Sequence, residues 1–139
     1  MQIATHLVPR EIQAIESVEL TFDQREKSSL RAPMANGEEI GIHLKVGTTL
    51  SHGDKLALAD GRIVEVIAAN ESLHLVRANN AAQLARISYC IGNRRMPLQV
   101  GDDYLLMLPD QALRAMVESL GGTVTDVQQV FQAESVKPC

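Results

Sequence analysis

Residues 89–100 read YCIGNRRMPLQV and join two different hydrophobic patterns. Leu84, Ile87 and Ile91 recur at intervals of three and four residues, which is the spacing of one face of an α-helix. Gly92 follows directly and suits a helix C-terminus, because glycine tolerates the left-handed conformation found there. The last four residues of the stretch have the length and composition of a short strand. The stretch therefore predicts a helix that ends at Gly92, then a turn, then a strand.

The elements on either side extend this pattern to a complete domain. Asn79 or Asn80 can cap the helix, Asp110 can cap a second helix, and Gly121-Gly122 can end that second helix. The predicted order from residue 72 onwards is β-α-β-β-α-β, which is the order of a ferredoxin-like domain. The strands of this domain are predicted at residues 73–77, 97–100, 104–108 and 123–127, the last one extending as far as residue 131 in its longest version.

The first half of the chain alternates apolar and polar residues instead. The clearest strand covers residues 40–46, and another covers residues 18–22 with positions 18, 20 and 22 on one face. Asn36-Gly37 and Asp60-Gly61 are typical hairpin turns. Only residues 10–17 suggest helical spacing, and that run is too short to predict a helix. The half is therefore predicted to be all-β, and the whole chain to be an α+β protein.

Composition limits the functions that this chain can have. The 139 residues carry a net charge of −4, which gives no broad basic field for nucleic acid. No apolar run approaches the ~20 residues that span a bilayer, and the N-terminus does not resemble a secretory signal. The two cysteines do not form a disulfide framework. We therefore expect a cytoplasmic protein with no membrane or nucleic-acid partner.

Residues 89–95 resemble the signature of the UreE family, the urease accessory proteins that carry nickel to apo-urease. In that family the run usually reads Tyr-His-Leu-Gly-Asn-Arg-His. Weaker matches precede it in the family's order and spacing: residues 22–31, 36–44, 44–54, 60–62 and 68–71. The resemblance thus covers most of the chain.

The resemblance implies a two-domain protein. The change of hydrophobic periodicity gives the bounds: an all-β N-terminal domain over residues 1–71 and a ferredoxin-like domain over residues 72–131, for which the resemblance implies metal binding and dimerisation. The polar residues 132–139 are expected to form a mobile C-terminal tail. The resemblance also implies a homodimer that binds nickel near its two-fold axis. The expected partners are the urease apoprotein complex and the urease accessory GTPase, and nickel is expected as transient cargo.

Both histidines of the signature are replaced in this chain. The final histidine, which the family pattern assigns to nickel, is Arg95 here, and the earlier histidine is Cys90. The guanidinium of Arg95 stays protonated and offers a metal no lone pair. Two such groups near one axis would also repel each other, by roughly 3 kcal/mol at ~6 Å and an effective dielectric of about 20.

Cys90 and Cys139 are the candidate replacement ligands, because nickel is well served by thiolate as well as by imidazole. Cys90 has an alternative reading as a small apolar residue packed inside the helix. The alternative reading of Cys139 is a solvated thiol without a role. The four histidines, His6, His43, His52 and His74, are not paired with other ligands at helical spacing and are predicted to lie on the surface.

No combination of nucleophile, base and orienting group is recognisable, so we predict that the chain is not an enzyme. Two functions remain open. One is nickel binding and delivery during assembly of the urease active site. The alternative is a scaffold in the same maturation complex that binds no metal, in which the β domain presents a strand edge or an apolar groove to a partner peptide.

Overall fold

The structure is a computed structural model that describes residues 1–134. The chain divides into two compact units, the first covering Met1–Ala69 and the second beginning at Asn70. The first unit contains six strands and one short helix: β1 (Gln2–Val8), β2 (Glu16–Leu20), α1 (Phe22–Glu26), β3 (Ser29–Pro33), β4 (Glu39–His43), β5 (Lys55–Leu58) and β6 (Ile63–Ala68). The second has a four-stranded sheet and two helices, so the predicted α+β class is confirmed.

The six strands of the first unit form one sheet that nearly closes on itself. Their order is β2-β6-β5-β1-β4-β3, and the two outer strands approach each other, since Val18 of β2 bridges to Met34 just after β3. The backbone N–H of Ala35 also donates to the carbonyl of Ser17 at 2.9 Å. Alternate side chains of the strands fill the interior, among them Val18, Leu20, Ile40, Ile42, Leu56, Val64 and Val66, all fully buried.

Local sequence signals located both hairpin turns and the beginning of β4. The predicted strand over residues 40–46 is wrong at its end, because β4 stops at His43 and the chain then turns, with the N–H of Thr48 donating to the carbonyl of Lys45 at 3.0 Å. Ile40 and Ile42 of this strand are fully buried. Gly37 and Gly61 adopt φ values of 90° and 91°, a left-handed conformation that favours glycine. The predictions of these two turns are confirmed.

The predicted strand over residues 18–22 is wrong at its end. β2 stops at Leu20, and Phe22 begins the helix α1. Thr21 caps this helix: its Oγ1 accepts from the N–H of Gln24 at 3.3 Å, and the Gln24 Oε1 accepts from the N–H of Thr21 at 2.9 Å. This reciprocal pair is a capping box, which the spacing of Thr21 and Gln24 signals in the sequence.

β1 was not predicted, and it holds a central place in the first sheet. It pairs in parallel with β4 and antiparallel with β5. The register shifts between Ala4 and Leu7, so the strand does not alternate regularly, and Ala4 is its one buried residue. A bulge of this kind erases the period-2 pattern by which strands are recognised in a sequence.

An exposed ion-pair network joins the two predicted hairpin turns. The Arg62 guanidinium donates to both carboxylate oxygens of Glu38, at 3.1 and 2.7 Å, and to Asp60 Oδ2 at 2.8 Å. Its side-chain hydrogen bonds lower the pKa of Glu38 below the ordinary value of 4.5. The pKa of Asp60 is also lowered, mainly because its carboxylate accepts the backbone N–H of Arg62.

Arg62→Gln should raise the pKa of Glu38 towards 4.5 and that of Asp60 by less, because the backbone hydrogen bond to Asp60 remains. A carboxyl whose folded-state pKa is depressed adds stability above its unfolded-state pKa, and this stability is lost as the pH falls through the folded-state value. The wild type should therefore be more stable than the variant above about pH 4.5, and the difference should vanish on acidification. NMR titration of the carboxyl groups measures the two pKa values, and urea unfolding at several pH values measures the difference in stability. Arg31→Gln, at an exposed arginine in β3, is the control, and an unchanged Glu38 pKa in Arg62→Gln would contradict the assignment.

The second unit has the predicted order β-α-β-β-α-β. Its elements are β7 (Asn70–Arg77), α2 (Ala81–Asn93), β8 (Gln99–Val100), β9 (Leu105–Met107), α3 (Gln111–Ser119) and β10 (Thr123–Val130). The sheet order is β10-β7-β9-β8 with every neighbouring pair antiparallel. The core of this unit includes residues of the sheet and of both helices: Val76, Ile87, Ile91, Leu98, Leu105, Met107, Leu113 and Val117. The ferredoxin-like topology is therefore confirmed.

Candidate metal site and family

The helix α2 carries the signature stretch and is fixed at its start by side-chain hydrogen bonds. Asn80 Oδ1 accepts from the N–H of Gln83 at 2.8 Å, which confirms Asn80 as the N-cap. The amide of Gln83 then donates to the carbonyl of Leu120 at 2.9 Å, just after α3. Ile87 and Ile91 are fully buried on the inner face. The end of α2 is thereby held in a defined position within its domain.

The predicted helix end at Gly92 is wrong. α2 continues to Asn93, and the left-handed residue that turns the chain is Arg95, with φ of 57°. Its N–H donates to the carbonyl of Gly92 at 2.9 Å. Gly92 is exposed and has room for a Cβ, so its position does not require glycine. A left-handed conformation costs a non-glycine residue roughly 1–2 kcal/mol. Arg95 therefore makes the sharp turn at this cost, and it is also the residue at the final position of the signature.

Cys90 lies on the flank of α2 as a free, half-buried cysteine. Arg86 precedes it and Arg94 follows it by four residues each, a spacing that places all three on one side of the helix end. Cys90 is thus less buried than Ile87 or Ile91 of the same helix. Cys90 is therefore not one of the fully buried core residues of α2.

Cys139 lies outside the described residues. The chain leading towards it is attached to the strand β8: the N–H of Gln132 donates to Gln99 Oε1 at 2.8 Å, and the N–H of Glu134 donates to the carbonyl of Leu98 at 2.7 Å. Glu134, the last described residue, is therefore held beside Leu98, which lies three residues after Arg95 in the sequence. The first part of the predicted tail is hydrogen-bonded in place.

Three of the four histidines are exposed, as predicted. His43 Nδ1 is 2.8 Å from the hydroxyl of Ser29, and His52 Nδ1 accepts from the N–H of Ala68 at 3.0 Å. His6 is exposed on β1. They do not form a cluster: within residues 1–134 no group of three or more His, Cys, Asp or Glu side chains is placed to hold a metal ion.

The prediction that His74 lies on the surface is wrong. It faces Asp126 across the β7–β10 pair, is 4% exposed, and has its Nε2 3.3 Å from Asp126 Oδ1. Its Nδ1 is buried without a hydrogen-bond partner among the described residues. The pair lines a cleft of about 420 Å³ together with Ser72, Pro109 and Gln128. Arg114 lies 3.6 Å from the same Asp126 oxygen, and its positive charge opposes metal binding there.

The comparisons with known proteins cover both domains. A family model described as UreE urease accessory protein, N-terminal domain, matches residues 3–69, and the corresponding C-terminal domain matches residues 71–137. The chain belongs to the UreE family of urease accessory proteins. No helix in the described part is both long and apolar enough to cross a membrane.

Individual relatives are similar at about the same level. A protein named urease accessory protein UreE from Paraburkholderia xenovorans (strain LB400) is 43% identical over 135 residues, which cover 96% of this chain and 60% of the relative. One of the same name from Pseudomonas fluorescens (strain Pf0-1) is 44% identical over 127 residues, covering 91% and 76%. A third, from Pseudomonas fluorescens (strain SBW25), is 41% identical over 133 residues, covering 95% and 80%. The chain thus spans about three fifths to four fifths of the UreE proteins that it matches.

Proposed function

We propose that this UreE-family chain binds nickel as cargo and assists its delivery to apo-urease while the urease active site is assembled. It would act without catalysing a reaction itself, as a homodimer in the cytoplasm, together with the urease apoprotein complex and the urease accessory GTPase. The match of both UreE domain models over residues 3–69 and 71–137 is the observation that carries this proposal. The similar relatives are named urease accessory proteins, which supports the same role.

Cys139, with Cys90 as a second donor, is our proposed replacement for the signature histidine. A half-buried thiol at Cys90 remains accessible to an ion, and thiolate is a good nickel ligand. Five residues beyond Glu134 reach Cys139, and a fully extended segment of that length spans about 17 Å. Because Glu134 is hydrogen-bonded to Leu98, this length is sufficient to bring Cys139 to the end of α2.

Equilibrium dialysis of the reduced full-length chain against nickel tests the proposal. We expect the wild type to bind nickel at about micromolar concentration, Cys139→Ala to lose most of this binding, and Cys90→Ala to weaken it. His6→Ala, which removes an exposed imidazole in the first unit, should bind like the wild type. Nickel binding that survives in the double cysteine variant would contradict the ligand assignment.

One observation favours the second candidate, a scaffold that binds no metal: the described residues 1–134 hold no preformed ligand cluster. Arg95 occupies the signature position, and residues 1–134 contain no group of three potential ligands. Absence of nickel binding by the wild type would support this role. Urease activation in cells should then be insensitive to both cysteine variants and sensitive to changes at exposed apolar positions of the first unit, such as Ile15, which is 70% exposed.

A further inference from the structure

The strand β10 forms one edge of the four-stranded sheet and is long for an edge strand. It runs over eight residues, Thr123–Val130, and pairs along its whole length with β7 on one side. On its other side, the backbone N–H and C=O groups have no hydrogen-bond partner among residues 1–134. An uncovered row of such groups is a template on which a further strand can pair.

The other outer strands of the two sheets are short or covered. β8 has two residues, and the N–H of Glu134 donates to the carbonyl of Leu98 next to it. In the first unit, β2 and β3 approach each other through the bridge between Val18 and Met34. Proteins commonly protect an open edge with lysine, proline or a bulge. β10 has none of the three, and threonine and valine, which favour strands, occupy five of its eight positions.

The β10 edge lies away from the position at which the two-fold axis of a homodimer is expected. The signature position, Arg95, is four residues before β8 in the sequence, and β8 is at the opposite edge of the sheet. β8 and β10 are separated by three strand spacings, or about 14 Å. A homodimer built around the end of α2 therefore does not require the β10 edge, which is left for another partner.

One acidic side chain lies at the middle of this edge. The side chain of Asp126 is 78% exposed, and its Oδ1 lies 3.3 Å from His74 Nε2 and 3.6 Å from Arg114 Nη1. Its Oδ2 has no partner among the described residues. Arg114 is itself 3.7 Å from Glu118, so the local charge remains negative. The carboxylate is thus held through one oxygen and is available to a cation through the other.

A cleft beside Asp126 gives room for a long side chain. It has a volume of about 420 Å³ and is lined by residues of both paired strands, among them Ser72, His74 and Gln128. Ser72 is paired with Gln128 and His74 with Asp126, so these side chains share one face of the sheet. In a strand paired with β10, the side chain opposite Asp126 points to this same face, with the two Cβ atoms about 5 Å apart. A lysine at that position is long enough to place its ammonium against the carboxylate.

We propose that the β10 edge binds an extended basic segment of a partner protein as a fifth strand of the sheet. Backbone hydrogen bonds to β10 align the segment, and a lysine or arginine opposite Asp126 fixes its register. An acidic segment fits less well because it brings like charges together. A second copy of the chain also fits less well, since two β10 strands paired about Asp126 place their carboxylates opposite each other. The proposal goes beyond nickel binding and does not depend on it.

Fluorescence anisotropy with the reduced full chain tests the recognition of charge. The probe is a labelled peptide in which threonine and valine alternate on either side of one central lysine. We expect it to bind, and its analogue with glutamate in place of lysine to bind about fivefold more weakly. Asp126→Lys should reverse this preference. Glu19→Lys, which changes an exposed carboxylate on β2 of the other sheet, is the matched control and should leave the preference for lysine unchanged.

Peptides methylated at backbone nitrogens test the strand pairing separately. Successive N–H groups of a strand point to opposite sides, so methylation of one alternate set removes the donors that face β10, and methylation of the other set leaves them intact. One methylated peptide should therefore lose binding by about tenfold or more, because several backbone hydrogen bonds are lost together. The other should bind within about twofold of the parent peptide.

Several outcomes would overturn the proposal. Equal binding of the lysine and glutamate peptides would exclude recognition of Asp126, and equal binding of the two methylated peptides would exclude strand pairing. The same reversal of preference in Glu19→Lys would show unspecific attraction. Dissociation of a dimer by Asp126→Lys, seen by sedimentation, would assign the edge to a second copy. If this variant does not fold, NMR of the wild type decides: the lysine peptide should shift the amides of residues 123–130 and not those of β3.

Discussion

Replacing Arg95 with histidine should raise the affinity of the chain for nickel by about tenfold or more. The substitution removes a fixed positive charge and adds an imidazole at the position that the UreE signature assigns to nickel. At ~6 Å in the dielectric of bulk water, a guanidinium repels a divalent ion by roughly 1.4 kcal/mol, which alone corresponds to a factor of ten. Histidine is one of the residues enriched in the left-handed conformation, so it suits the φ of 57° at this position.

Two matched variants separate the contributions to this effect. Arg95→Gln removes the charge without adding a ligand, so its gain in nickel affinity should be smaller than that of Arg95→His. Arg94→His places an imidazole one residue earlier, at a position that the signature does not assign to nickel, and should give no comparable gain. Isothermal titration of nickel into the reduced proteins provides the comparison. Equal affinities of wild type and Arg95→His would mean that nickel does not bind near the end of α2.

Ile87→Ala should destabilise the second unit by about 2–5 kcal/mol. Ile87 is fully buried on the inner face of α2 and belongs to the cluster that contains Val76, Leu105 and Val117. Its Cδ1 also occupies the space beside Gly122, where an added Cβ would come within 2.8 Å of it. Truncation therefore leaves a cavity that this closely packed region can fill only in part.

Tyrosine fluorescence during urea unfolding measures this effect in the second unit. The chain has no tryptophan, and both of its tyrosines, Tyr89 and Tyr104, belong to that unit. The control Val100→Ala, at a position of the second unit that is 49% exposed, should change stability by less than about 0.5 kcal/mol. An unchanged urea midpoint for Ile87→Ala would show that the assigned packing of α2 is wrong.

The second domain was largely predictable because its signals are local. The spacing of Leu84, Ile87 and Ile91 located α2, and the capping residues Asn80 and Asp110 gave the starts of both helices within a residue. The first domain was harder to predict from the sequence, for two different physical reasons. The bulge in β1 removes the alternation that marks a strand. The capping box at Thr21 starts a helix at Phe22, although residues 18, 20 and 22 keep the apolar alternation of a strand.

The candidate site was harder to predict from the sequence than the fold, because its geometry depends on tertiary structure. The signature identified Arg95 as the decisive position, but only the backbone shows that Arg95 itself, and not Gly92, makes the left-handed turn. His74 was expected on the surface because its burial requires the pairing of β7 with β10, which are about fifty residues apart in the chain.

X-ray absorption at the nickel edge of the reduced, nickel-loaded wild type tests most directly whether a cysteine has taken over from the signature histidine. We predict sulfur in the first coordination shell, fewer sulfur ligands in Cys139→Ala, and none when Cys90→Ala is combined with it. A shell of nitrogen and oxygen alone, unchanged in that variant, would contradict the account.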